Sequence, residues 1–198
     1  MSAVTIPAPD VTTFAQLAEQ AGCRVAHCRE ADLEQAGWWE QMLAGAGQEA
    51  AVADLPVGAM SGIAVAQSLH ARFAGADRLL RRQGAICTGD PALLLGCHVG
   101  VSDSVLAVAE TGSLLLVGAE PADRLVWLLP PRSVLLVETD NVVPSLDEAM
   151  AWLQAHTEAG AATLVTGPSR TSDVERVLTI GVQGPREVIV VLVDEAED

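Results

Sequence analysis

The sequence predicts an α/β fold, a mostly parallel β-sheet with helices on both faces. Three observations predict it. Half of the residues are hydrophobic, supplied by Ala, Leu and Val while aromatics make up only 3%, and aliphatic runs of this kind suit strands buried on both faces. Helix-like and strand-like segments alternate along the chain, which implies parallel strands joined by right-handed crossovers. At 198 residues the chain can bury one substantial core and is short for two, so residues 1–198 are read as a single domain.

The elements follow in order. Asp10 is placed to cap a helix reaching residue 19, with Phe14, Leu17 and Ala18 on one face. Residues 23–28 read as a short strand, 31–43 as a helix carrying Trp38 and Trp39, and 51–54 as another strand. Residues 63–73 read as a helix, Gly84 ends that segment, and 85–88 form a strand. Strands at 105–109 and 114–117 flank a turn at 110–113. Residues 124–129 make a helical turn stopped by Pro130 and Pro131, and 133–137 form a buried strand. Ser145 and Glu148 have capping-box spacing and open a helix to about residue 156. A strand at 163–165 precedes the stretch TGPSRTSD (166–173). Ser172 and Glu175 repeat the capping-box spacing and predict a helix to about residue 180. Residues 187–193 close the sheet, and 194–198 form an acidic tail.

Composition excludes several chemistries. With 26 acidic against 11 basic side chains, the formal charge is −15. Such a surface repels phosphate backbones and anionic lipid, so neither nucleic acid nor membrane is expected as a partner. Lysine and tyrosine are absent, which removes Schiff-base chemistry, a P-loop lysine and tyrosyl acids. His27, His70, His98 and His156 are the near-neutral proton carriers. Cys23, Cys28, Cys87 and Cys97 contain no C-x-x-C pair, so no metal or cofactor is expected in this chain. With no signal-like start and no membrane-length apolar run, a cytoplasmic protein with free thiols is the expectation.

Three loops carry the candidate chemistry. In TGPSRTSD, Gly167, Ser169, Arg170, Thr171 and Asp173 sit between a strand and the predicted helix. Backbone N–H groups at a helix start, with Arg170, make an anion pocket suited to a small carboxylate or phosphate. The same hydroxyls equally serve to satisfy the helix terminus, with Asp173 paired to Arg170. In the second loop Glu110, Thr111, Gly112 and Ser113 follow an apolar strand, where open α/β sheets place ligands. Glu110 fits a base, a nucleophile or an orienting group, and equally a carboxylate that bonds turn N–H groups. The third loop holds Gly184 and Arg186, either a helix cap with a turn or a carboxylate clamp.

Three stretches taken together, AVAETGSLLLV (107–117), LLPPRSVLLVETDNVVPSLDEA (128–149) and GPSRTSDVERVLTIGVQGPREVIVVLVD (167–194), resemble the lactate utilization protein C family, also called the LUD domain. The resemblance covers 98–194 closely and 1–97 more loosely. Family members often begin with a basic helical segment absent here, and usually carry His where this chain has Gln183. The resemblance implies a fold similar to the sugar-isomerase and CoA-transferase-like class. It also implies a place in bacterial L-lactate oxidation to pyruvate, beside iron–sulfur partner proteins that carry the clusters. The motif positions carried over are Glu110, Thr111, Gly112, Ser113, Gly167, Ser169, Arg170, Thr171, Asp173, Gly184 and Arg186.

The resulting expectation is an accessory component of a lactate-oxidising system. The alternatives are a free-standing isomerase or acyl/CoA-transferase-like enzyme using Glu110, and a non-catalytic interaction protein.

Overall fold

The computed structural model describes residues 10–44, 62–118, 120–156, 160–172, 178–180 and 184–194. Helix α1 (Val11–Gln20) is capped by Asp10, whose carboxylate accepts from Thr13 N at 2.9 Å. Strand β1 (Arg24–Arg29) follows. The single helix expected over 31–43 is two pieces, a 3-10 turn (Glu30–Glu34) and α2 (Ala36–Ala44). Between them the buried Trp39 indole donates to Leu33 O at 2.9 Å, which fixes the corner.

The helix expected over 63–73 is corrected. Ile63–Val65 is strand β2, followed by the short α3 (Leu69–Arg72). Pairing with a neighbouring strand overrides the weak local helical pattern here. The strand expected at 85–88 reduces to one bridge between Ile86 and Ala64. Helices α4 (Ala74–Arg82) and α5 (Pro91–Leu95) and strand β3 (Val99–Asp103) are not among the elements that the sequence predicts. The strand expected at 51–54 lies outside the described residues.

Strands β4 (Leu106–Val108) and β5 (Ser113–Gly118) form the expected pair around the 110–113 turn. Helix α6 (Pro121–Leu128), β6 (Arg132–Glu138) and β7 (Val142–Val143) come next. Helix α7 (Leu146–Ala155) begins at Ser145, whose hydroxyl accepts from Glu148 N, as the capping spacing predicts. Strands β8 (Ala161–Val165), β9 (Arg170–Ser172), β10 (Leu178–Ile180) and β11 (Glu187–Asp194) complete the described chain.

The main sheet has the order β1-β11-β6-β3-β2, and every neighbouring pair is parallel. Both faces are buried. Val134, Leu136, Ile189 and Val191 pack toward Trp39, Leu69, Phe73 and Leu80. Leu135, Val137, Val188, Val190 and Leu192 pack on the other side with Phe14, Ala18 and Trp127. The alternation along β6 and β11 sends successive side chains into different cores. The α/β reading therefore holds.

A second sheet, β7-β4-β5-β8, lies over that second face and is mixed rather than parallel. Its Ala107, Ala109, Leu114 and Leu116 join the core around Phe14. Its Leu106, Val108 and Leu115 face Ala149 and Trp152 of α7.

The helix expected from 173 to 180 is also corrected at its end. Leu178, Thr179 and Ile180 pair antiparallel with Ser172, Thr171 and Arg170. Capping-box spacing is a local signal, and strand pairing displaces it here. Asp173 and Gln183 lie outside the described residues.

Among the described residues no helix is long and apolar enough to cross a membrane.

Candidate functional site

Two of the three candidate loops meet at one place, the carboxyl end of α1. Gly112, at φ +64°, closes the β4–β5 turn, and a Cβ there would overlap the backbone of Leu17 and Ala18. Gly167, at φ +84°, turns the chain after β8, and a Cβ there would overlap Ala21 O. Both positions need a left-handed residue and a bare backbone, which only glycine supplies. Arg170 Nη2 donates to Ala21 O at 2.8 Å, placing a cation on the last turn of α1. Below them Ser113 Oγ and Thr166 Oγ1 are 2.6 Å apart and tie β5 to the 166–169 loop.

The third loop closes the arrangement. Ser169 N donates to Pro185 O at 3.0 Å. A Cβ on Gly184 would come within 3.2 Å of Ser169 Cβ, so the two loops touch. Arg186 is exposed, and its backbone N–H donates to Pro131 O at 2.7 Å. Thr111 is exposed in its turn, and Thr171 contributes backbone to β9.

Beneath the paired loops lies a cleft of about 240 Å³. Thr166, Gly167, Ser169, Gly184 and Pro185 form one side. Trp127 and Leu128 from α6, Ser133 and Leu135 from β6, Leu164 and Val165 from β8, and Val188 from β11 form the rest. Trp127 and Ser133 are only 3% and 1% exposed. Among the described residues, Trp127 Nε1 and Ser133 Oγ have no hydrogen-bond partner. Such groups are costly to leave unpaired. The sequence candidates included neither residue. Their signals were a hydroxyl alone in an apolar strand and an indole whose N–H requires an acceptor.

The cleft opens at the amino ends of β6 and β11, since Ser133 and Val188 are the second residues of those strands. The carboxyl edge of the parallel sheet, the usual ligand edge, holds a knit polar cluster instead. Ser68 Oγ donates to Asp103 Oδ1 at 2.5 Å, Arg72 Nε lies 3.6 Å from Asp103 Oδ2, and Gln67 N donates to Asp123 Oδ1 at 2.6 Å. Burial pushes the Asp103 carboxyl above the usual 3.8, opposed by Ser68 and Arg72.

Glu110 points to a different neighbour. Its Oε1 accepts from Leu146 N, the first residue of α7, at 2.6 Å, and the contact is exposed. Because β4 and β5 form an antiparallel pair in the second sheet, Glu110 sits in a hairpin turn and not at the carboxyl edge of the main parallel sheet. The residue thus occupies the amino end of a helix, where a carboxylate is favoured by the dipole and by free N–H groups.

The cysteines lie apart. Cys23 packs in one core and Cys28 in the other, on opposite faces of the sheet. Burial pushes the Cys23 thiol up to about 11, against the opposing effects of the Gly167 N–H and Arg170. Burial, with the nearby Asp32 and Asp194, pushes Cys28 up to about 12. Neither is a thiolate at neutral pH. Among the described residues no three His, Cys, Asp or Glu side chains gather closely enough to hold a metal ion.

A family model described as the LUD domain matches residues 60–193. The chain belongs to the LUD domain family. The match includes every residue lining the cleft and begins well upstream of residue 98.

Relatives of this LUD-domain chain include lactate utilization protein C of Geobacillus thermodenitrificans, 30% identical over 103 residues, covering 50% of this chain and 43% of that protein. The Bacillus subtilis protein of the same name is 29% identical over 103 residues, with the same coverages. That of Macrococcus caseolyticus is 31% identical, covering 50% of this chain and 45% of that protein. The matched segment thus spans less than half the length of these relatives. A crystal structure of a DUF162 family protein from Deinococcus radiodurans superposes with a TM-score of 0.62 at 19% identity, covering 92% of this chain and 94% of that one. At that identity the likeness is one of fold.

Proposed function

We propose that this LUD-domain protein serves lactate utilization, as an accessory component of a cytoplasmic L-lactate oxidation system whose redox groups reside in iron–sulfur partner proteins. The observation that carries the reading is the family match together with relatives named lactate utilization protein C. Two structural facts support an accessory role. Cys23 and Cys28 lie on opposite faces of the sheet, and the Glu110 carboxylate is engaged at the start of α7. The second fact weighs against a free-standing transferase or isomerase that uses Glu110 as base or nucleophile. A small carboxylate or phosphate at the 166–170 loop is met by the exposed Arg170, because among the described residues no ionisable side chain lines the cleft itself.

The test is reconstitution of lactate-dependent dye reduction from the purified iron–sulfur proteins, with and without this chain. The reading expects co-purification with those partners and loss of most activity when the chain is omitted. Full activity in its absence, with no co-purification, overturns the accessory role.

A further inference from the structure

We propose that the cleft between α6, β6 and the 166–169 loop binds a compact, uncharged carbonyl compound whose oxygen accepts from Trp127 Nε1 and Ser133 Oγ. This assignment stands on the cleft alone and does not depend on the lactate role.

The polarity of the ligand follows from the two buried groups without partners. An indole N–H only donates, so what meets Trp127 must be an acceptor. Ser133 Oγ donates equally well, and both groups belong to residues that line the same cleft. Ser102 Oγ is also buried without a partner but lies outside the cleft lining; what sets Trp127 and Ser133 apart is that both line one open volume. A carbonyl oxygen has two lone pairs and is suited to take a hydrogen bond from each residue.

The absence of charge follows from the walls. Among the described residues Leu128, Leu135, Leu164, Val165, Pro185 and Val188 are apolar, and the other lining groups are an indole, hydroxyls and glycine backbone. A full charge placed there loses its hydration without gaining a counter-ion. Among the described residues no cation lines the cleft. Arg170 donates to Ala21 O, Arg124 Nη1 to Gly118 O at 2.9 Å, and Arg132 Nε to Glu187 at 2.6 Å. Arg132 also sits one residue before Ser133 on β6, so the two side chains leave opposite faces of the sheet.

The size and entry also fit. About 240 Å³ accommodates a single substituted ring rather than a nucleotide. Leu128 and Leu164, 41% and 40% exposed, give the cleft apolar residues that reach solvent.

The test uses the purified chain and three probes of nearly equal shape: benzamide, benzoate and toluene. Benzamide carries the neutral carbonyl, benzoate carries the charge, and toluene lacks the acceptor. The readout is the indole N–H spectrum, which holds one signal from each of the four tryptophans, with Trp127→Phe assigning its own.

Benzamide is expected to shift the Trp127 signal saturably in the millimolar range. Benzoate and toluene should bind at least about tenfold more weakly. Ser133→Ala should lower benzamide affinity by about three- to tenfold, the usual effect of one neutral hydrogen bond. Three results overturn the proposal. They are benzoate binding as tightly as benzamide, a Ser133→Ala protein with unchanged benzamide affinity, and a Trp127 signal unmoved by any probe while a crystal structure shows only ordered water on Nε1.

Discussion

Replacing Glu110 by Gln separates a helix-capping carboxylate from a reacting one. The amide keeps an oxygen that accepts from Leu146 N, now 2.6 Å away, but removes the charge from the amino end of α7. An exposed charge at a helix terminus contributes about 0.3–1 kcal/mol, so Glu110→Gln should lose stability within that range. Glu110→Ala also leaves the N–H without its protein acceptor and should lose about 1–2 kcal/mol. Urea unfolding measures both, with the slope unchanged because the surface exposed on unfolding is the same. The difference between wild type and Gln should shrink in 1 M salt, where the Debye length falls to about 3 Å. Lactate-dependent dye reduction by the reconstituted system should stay within about tenfold of wild type. A Gln protein of wild-type stability that assembles yet has lost all activity would refute the capping role and make Glu110 a reacting group.

Further outcomes follow from other sites. Gly112→Ala combines a left-handed backbone with overlap against α1; the expected loss is about 2–4 kcal/mol, seen as a drop of roughly 5–15 °C in Tm, and an unchanged Tm contradicts the close approach. Arg132→Met strands Glu187 with Arg24 as its remaining partner, 3.2 Å away; denaturation should show a loss of about 2–4 kcal/mol. Native-state alkylation near pH 8 should modify the exposed Cys87 first, with the buried Cys23 and Cys28 reacting only on unfolding. The raised thiols of Cys23 and Cys28, about 11 and 12 against an ordinary 9.0, bind their protons more tightly in the folded state. Their contribution is therefore complete below about pH 9 and is lost as pH rises through 11 to 12. Unfolding free energies measured across that window should fall, and a flat profile contradicts the burial.

What the sequence makes legible depends on whether a signal is local. Strands β6 and β11 are continuous aliphatic runs because both faces are covered, and Ser145 caps α7 through its own neighbours. Strand β3 is hidden because Gly100 and Ser102 interrupt the apolar pattern. Val126 O passes so close to Gly100 that no side chain fits there. Helix α4 hides behind a buried Asp77 that accepts from Arg81 Nε at 2.6 Å and lies 3.1 Å from His70 Nδ1, a pairing no periodicity announces. Over residues 172–180 a capping-box spacing is present, but the backbone of Leu178–Ile180 finds a partner strand. The site divides in the same way. Gly167, Ser169 and Gly184 mark their loops by residue type, whereas Trp127 and Ser133 become distinctive only when α6 and β6 bring two unpaired polar groups to one cavity.

The order of the main sheet also constrains how the chain reaches it. Strand β1, near the start, pairs among the described residues with β11 alone, so that Arg24 meets Ile189 and Cys28 meets Val193. During synthesis β1 and β6 leave the ribosome long before the strand that separates them. Until residues 187–194 arrive, each has an open edge of unpaired N–H and C=O groups, a template for pairing with another chain. Such distant pairings also slow folding, since loop-closure entropy must be overcome before the contacts form. The interval before β11 inserts is therefore when a nascent chain is most exposed to aggregation and depends most on chaperones.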